Sequence, residues 1–218
     1  MKVGARLGLG FALVILAGLA VAILGRIELG SIDAEVRLLI TDRMAKVKQL
    51  TQVKENLNHA ARSIRNVVIA SDGETMDAEN KQIQAIRTQT SALIEQLNAS
   101  IQSAEGRQLM QELAKVRPPY NASIDRVIVL ATGYSNEEAR TALLTETQPL
   151  LINYVKAVDE LINLQERLMN ETAHRVQEAT TFTGWLILAI AAAAALIGAV
   201  IAWALTRSIT RQLGGEPD

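Results

Sequence analysis

Apolar positions follow two different patterns along this 218-residue chain. Two stretches are apolar on every side. Leu7 to Gly25 is 19 residues without a charge, and Phe182 to Leu205 is 24. Between them, apolar residues recur at three-and-four spacing, the period of an amphipathic helix, and not at the period of two that marks a strand. Each uniform stretch exceeds the roughly 18 residues of a candidate transmembrane helix. Trp185 and Trp203 stand near the two ends of the second. At ~1.5 Å per residue they lie ~27 Å apart, close to the ~30 Å hydrocarbon layer, as interfacial aromatic belts require.

The first stretch has a competing reading as a cleavable signal peptide, with Lys2 and Arg6 as its charged start and Ala20-Val21-Ala22 as its cleavage site. Its apolar run is longer than the usual ~7–15 residues and flows into a helical pattern, so an uncleaved anchor is expected. A buried core helix is the lesser alternative for the second stretch. Lys2 and Arg6 precede the first span, and Arg207 and Arg211 follow the second. The positive-inside rule then puts both termini in the cytoplasm and residues 26–178 outside. The expected division is a cytoplasmic N-terminus at 1–6, spans at 7–25 and 182–205, an exported domain at 26–178 and a cytoplasmic start at 206–218.

The exported part reads as four helices. The first, about 26–71, carries Val36, Ile40, Val47, Leu50, Leu57, Ala61, Ile64 and Val68. Arg43 and Lys54 interrupt this seam, and are expected to face solvent or helix one of a second copy in a homodimer. The helix is expected to end at Ser71-Asp72-Gly73 with a left-handed glycine. Thr75 can cap the second, with Met76, Ile83, Ile86, Thr90, Leu93, Leu97 and Ile101, ending at Glu105-Gly106. The third carries Leu109, Leu113, Val116, Tyr120, Ile124, Val127 and Leu130 and ends at Thr132-Gly133. Ser135 to Glu138 reads as a capping box opening the fourth, with Ala139, Leu143, Leu150, Tyr154, Val158, Leu161, Leu168 and Val176. Pro118, Pro119 and Pro149 should kink or unwind their helices. Short connections force antiparallel neighbours. The expected fold is all-α, an up-down-up-down four-helix bundle flanked by two transmembrane helices.

Composition sharpens this by exclusion. The chain is 49% hydrophobic but only 3% aromatic, with no cysteine and two histidines. There is no disulfide framework, thiolate nucleophile or cysteine metal site. His59 and His174 lack a second histidine at ligand spacing, and read as surface residues. The 22 Lys and Arg nearly balance 23 Asp and Glu, which argues against nucleic acid as a partner. Glu137-Glu138 and Asp159-Glu160 are adjacent on a helix and so do not face each other as an acid/base pair. No Gly-rich phosphate loop is present. Neither an enzyme nor a cofactor is expected. Asn98, Asn121 and Asn170 stand in glycosylation patterns, discounted for a bacterial protein. An exported domain without cysteine fits a bacterial periplasm.

The arginines carry the remaining chemistry. Arg62 and Arg65 are three apart on helix one, near the turn farthest from the spans. A matching layer takes Gln84 and Arg87 from helix two, Asn121 and Arg126 from helix three, and Arg140, Thr141, Thr145 and Gln148 from helix four, with Tyr134 in the distal turn. Guanidinium groups bind carboxylates bidentately, so such a layer suits a small organic anion. The competing reading pairs these arginines with Glu79, Asp125 or Glu137 at the surface.

Arg207 to Pro217 resembles the opening of a HAMP domain, the relay just inside the membrane in bacterial receptors. Asn58-His-Ala-Ala-Arg-Ser-Ile-Arg-Asn66 resembles helix one of the four-helix-bundle sensor of methyl-accepting chemotaxis proteins. That resemblance implies that Arg62 and Arg65 bind an acidic ligand, a di- or tricarboxylate, with Thr141, Thr145 and Gln148 as helix-four partners. It also implies a chemotaxis histidine kinase and coupling protein as cytoplasmic partners. The remainder of HAMP, the methylation helices and the kinase-contacting tip are not among these residues. A sensor for a histidine kinase or a diguanylate cyclase therefore stays open, as does a ligand-free structural coiled coil.

Overall fold

The computed structural model of the protein describes residues 3–212. In order, these form α1 (Val3–Arg37), a π-helical segment (Leu38–Arg43), α2 (Met44–Ile69), α3 (Gly73–Ser100), α4 (Ala104–Thr132), α5 (Asn136–Ala142), a second π segment (Leu143–Thr147) and α6 (Gln148–Gln212). Among the described residues there is no strand. The chain divides into two compact units, one of residues 39–170 and one of residues up to 38 and from 171 onward.

The first unit is a four-helix bundle, and its cross-links show the direction of each helix. Between α2 and α3, Gln49 bonds Gln96, Asn56 bonds Thr90 and Asn66 bonds Glu79. As one number rises the other falls, so the two run antiparallel. The same holds for α3 and α4 through Arg87–Asp125 and Arg117–Ser91. It holds again for α4 and the last helix through Glu105–Arg167, Tyr120–Tyr154 and Arg126–Glu146. Lys54–Asp159 and Arg43–Gln165 close the ring between the first helix and the last.

The seam of α2 is Leu50, Val53, Leu57, Ala60, Ile64 and Val67, a strict three-four alternation. Opposite it lie Met76, Ile83, Ile86, Thr90 and Leu97 of α3, with Leu113, Tyr120, Ile124 and Val127 of α4 and Tyr154, Val158 and Leu161 of α6. Burying each large apolar side chain contributes about 1.5–3 kcal/mol. The α2 seam differs in part from expectation. Val53, Ala60 and Val67 are buried, whereas Ala61 and Val68 lie at its edge and Ile40 is exposed.

Several local expectations are corrected. Ala70, in extended backbone, ends α2, and Gly73 is the first residue of α3 rather than a left-handed cap. The cap of α3 is Asp72, whose carboxylate accepts from the Thr75 amide at 2.7 Å. That helix ends at Ser100, not at Glu105-Gly106. Ser103 caps α4, and Gly106 is buried inside it, where an added Cβ would sit 2.5 Å from Ile101 Cγ2 and 2.7 Å from Ser103 Oγ. The glycine is thus required by close approach, not by a turn. Ser135 precedes α5 but makes no side-chain capping bond. The positive φ of the preceding turn falls on Tyr134 (59°), while Gly133 has φ −82°.

The helical span of α4 continues through Pro118 and Pro119, both exposed, without the unwinding expected of them. Pro149 does disturb its helix. The five residues before Gln148 are π-helical, and the Gln148 amide donates to Leu143 O, five residues back. The other π segment, Leu38–Arg43, carries no proline and breaks the first helix where none was expected. Lys54 and Arg43, expected to face solvent or a second copy, both find partners within one chain. Neither needs a second chain to explain it, since Lys54 Nζ lies 2.7 Å from Asp159 Oδ1 and Arg43 donates to Gln165 at 3.3 Å, both within the bundle.

In the second unit, α1 and the C-terminal part of α6 carry large exposed apolar side chains, including Phe11, Leu16, Phe182, Trp185 and Trp203. Both helices are long and apolar enough to cross a membrane. They meet where a Cβ on Gly10 would approach Ile201 Cγ2 to 2.9 Å, and where Arg175 lies 3.7 Å from Glu35. Arg207 stacks over the Trp203 ring at 5.2 Å. Lys2 and residues 213–217 of the HAMP-like stretch lie outside the described residues; Arg207 to Gln212 continue α6.

Candidate functional site

Eight of the residues expected to bind an anion lie at the surface of the bundle, whereas Arg87 and Asn121 of the same expected layer are half-buried. Arg62 and Arg65 lie on α2, Arg126 on α4, Arg140 and Thr141 on α5, Thr145 in the second π segment, Gln148 at the start of α6 and Tyr134 in the turn before α5, all exposed. The structure separates these arginines by their partners. Arg126 donates to both oxygens of Glu146 at 3.0 Å, and Arg140 lies 3.9 Å from Glu137. Arg62 and Arg65 make no ion pair or side-chain hydrogen bond among the described residues. Thr145 returns its hydroxyl to Thr141 O at 2.8 Å. No hydrogen bond joins the side chains of any two of the eight.

A second polar group lies inside the bundle, and of its members Arg87 and Asn121 belong to the expected anion-binding layer. Tyr120 of α4 and Tyr154 of α6 meet edge to face with ring centroids 5.6 Å apart. Both are almost completely buried, and neither hydroxyl has a hydrogen-bond partner. The two rings line a cavity of about 20 Å³ with Leu57, Ala60, Ile86, Arg87, Thr90, Arg117, Asn121 and Ile124. That is room for about one water. Burial raises the Tyr120 hydroxyl pKa well above 10, helped by the neighbouring Tyr154 and opposed by Arg87. Burial likewise pushes Tyr154 up to about 12, against the pull of Arg117.

The two guanidinium groups at this cavity differ. Arg87 donates to Asp125 at 2.6 Å and to Asn121 O at 2.8 Å, so its charge is compensated. Arg117 donates to the Ser91 hydroxyl and has no carboxylate partner among the described residues, although it is half-buried. On its outer side, Arg117 borders an open cleft of about 540 Å³ between α3 and α4, lined also by Ile94, Leu113, Ala114, Pro118, Asn121, Ala122 and Asp125. Arg117 and Asn121 line both spaces. None of the eight surface candidates lines either one.

Arg87 and Asn121 stood in the expected layer, but Tyr120 and Tyr154 did not, because tyrosines at heptad positions read as core. The available signal was Arg117, a charged residue beside Val116 on the flank of the α4 stripe. Asp125, the acid that lines the same cleft, is taken by Arg87.

Among the described residues no His, Cys, Asp or Glu side chains cluster in a way that could hold a metal ion. Residues 1–179 match the family described as the four-helix-bundle sensory module for signal transduction. The chain belongs to that family, the sensory module of methyl-accepting chemotaxis proteins. It is a family of sensory modules and not of enzymes, and points to a membrane receptor. No curated protein matches the chain.

Proposed function

We propose that the protein is the sensor and transmembrane part of a bacterial chemoreceptor that binds a small organic anion, a di- or tricarboxylate, at the membrane-distal end of its periplasmic bundle. The observation that carries this is the isolation of Arg62 and Arg65. They stand one turn apart on α2, exposed and without any acidic partner, whereas Arg87, Arg126 and Arg140 each face a carboxylate. Two unspent guanidiniums favour an anion by charge and by bidentate geometry. Thr141, Thr145 and Gln148, exposed on the opening turns of the fourth helix, supply the hydroxyl and amide partners. Binding shifts that helix relative to helix one by a small displacement. The continuity of α6 from Gln148 to Gln212 supports transmission into a HAMP domain, and from there to a chemotaxis histidine kinase and its coupling protein. A homodimer through helix one and an inner-membrane, two-span topology belong to the same proposal.

Calorimetric titration of the full chain in lipid nanodiscs tests this with citrate, succinate and amino acids. At least one anion gives heat, and Arg62→Ala and Arg65→Ala each weaken its binding more than about tenfold, the scale of a lost charged hydrogen bond. Absence of heat with every anion overturns the reading, and unchanged affinity in both variants removes the site from α2.

A further inference from the structure

We propose that the cleft between α3 and α4, together with the cavity behind Arg117, is a second binding site, within one subunit, for a monocarboxylate with a compact apolar body. The inference rests on the bundle being an anion sensor, but not on Arg62 and Arg65.

Three observations converge on this site. Arg117 is a half-buried cation whose partner is the neutral Ser91 hydroxyl. A partly buried charge without a counterion attracts an anion, and a carboxylate would supply the missing charge. Two buried hydroxyls, those of Tyr120 and Tyr154, lack acceptors immediately behind it. A neutral phenol is a donor, and burial keeps both phenols neutral. The outer cleft is walled by Ile94, Leu113, Ala114, Pro118 and Ala122, which suits an apolar body and offers no second cation. The only acid on this wall, Asp125, is held by Arg87, so it does not repel the ligand with a free charge.

The division of space sets the orientation. The inner cavity holds about one water, too small for a ligand body, while the outer cleft is more than twentyfold larger. The carboxylate therefore faces inward at Arg117, and the apolar body stays outside. Arg117 leaves Ser91 to meet it. Tyr154, on α6, donates to the carboxylate, or to a water trapped between them, and so couples occupancy of the α3–α4 cleft to the helix that continues to Gln212. A ligand held this way prefers one arrangement of α6 against α4, which is the condition for a signal.

The test uses the full chain in nanodiscs, with benzoate as probe, benzamide as its neutral counterpart and citrate for the surface arginines. Benzoate binds and benzamide does not. Arg117→Gln weakens benzoate more than about tenfold, as loss of a charged hydrogen bond predicts. Ala122→Trp, at an exposed position, blocks the cleft without touching the core and has the same effect. Arg62→Ala leaves benzoate unchanged. Tyr154→Phe gives a smaller loss, and circular dichroism confirms that each variant is folded. No benzoate binding, equal binding of benzamide, or undiminished binding by the folded Arg117→Gln and Ala122→Trp chains overturns the proposal. Citrate lost in Arg62→Ala with benzoate retained places two sites on the bundle. Citrate without effect and benzoate bound as described rejects the surface site alone.

Discussion

Tyr120 and Tyr154 pack edge to face across the bundle, planes at 78°, and each ends in a buried hydroxyl that nothing accepts. The ring contact is worth about 0.5–1.5 kcal/mol beyond the area it buries. Each unmet hydroxyl gives back about 1–3 kcal/mol. Removing the oxygen while keeping the ring therefore helps the empty protein. Tyr154→Phe is expected to raise stability by about 1 kcal/mol, whereas Tyr154→Ala lowers it by about 3–5 kcal/mol through the void it leaves. Thermal unfolding in the absence of ligand measures both. A Phe variant less stable than the parent would mean that the hydroxyl is satisfied by bound water.

The same burial makes the bundle sensitive to alkali. In the folded chain Tyr154 loses its proton near pH 12, against 10 for the ordinary phenol, and Tyr120 is raised further. A raised folded pKa means that the folded state holds the proton more tightly. The resulting stability is complete below pH 10 and is lost as the pH climbs toward and through 12. Unfolding midpoints of the parent should fall steeply in that window. The Tyr120→Phe, Tyr154→Phe double variant should fall less, with its phenolate absorbance reporting only the remaining tyrosine.

At the acid end the relevant group is Asp72. Its carboxylate accepts from the Thr75 amide and from the Thr75 hydroxyl, and these bonds, the amide first, hold its pKa below 3.8. A lowered folded pKa gives stability that is full above pH 3.8 and disappears as the pH falls through the lowered value. Carboxyl chemical shifts should show Asp72 titrating below the usual aspartate range. Asp72→Asn, which still caps, should keep the amides of the first turn of α3 protected at acid pH, while Asp72→Ala should lose that protection at every pH.

The sequence carried the bundle because its apolar residues keep a helical period: nearly the whole expected stripe of α3, from Met76 to Ile101, is buried. It misplaced part of the α2 seam because neighbouring small residues, Ala60 beside Ala61 and Val67 beside Val68, give the pattern two registers that only packing separates. It misread Gly73 and Gly106 because glycine signals a chain end and a close approach equally well. The candidate arginines were visible as charges, but whether a charge is spent is a question of partners. Arg126 meets Glu146 from twenty residues away, and Lys54 meets Asp159 across the bundle. The same blindness hid Arg117, whose distinction is a partner that is absent.

Tyr134 occupies the position after α4 that glycine usually fills. Its φ of 59° is left-handed, and the Ser135 amide reaches back to Leu130 O at 2.9 Å to close the turn. A side chain in that conformation costs roughly 1–2 kcal/mol. Tyr134→Gly is expected to stabilise the bundle by about 1 kcal/mol, seen as a higher unfolding midpoint. If the exposed ring contributes to the surface anion site, the same variant binds citrate more weakly. A gain in stability with a loss of affinity would show that the strain is kept for the ligand.

The final expectation concerns the π segment before Pro149. In a regular helix the proline ring would collide with Thr145 O, at a cost of about 3 kcal/mol. The observed widening removes that collision, with Gln148 N bonding Leu143 O instead. Opposing a return to regular helix is packing: Ala139 and Ala142 are buried upstream and Thr147 within the segment. Turning α5 by one residue, ~100°, would expose the two alanine methyls, worth about 1–2 kcal/mol together. The proline is thus the larger influence. Pro149→Ala should leave the two registers within about 1–2 kcal/mol of each other. Amide resonances of residues 143–149 should then broaden through exchange, and the Arg126–Glu146 pair should weaken as Glu146 turns away. The segment Leu38–Arg43, π-helical without a proline, serves as the internal control and should stay unchanged. Sharp, unshifted amides throughout 143–149 would show instead that packing alone fixes the register, leaving this stretch no second arrangement for a ligand to select.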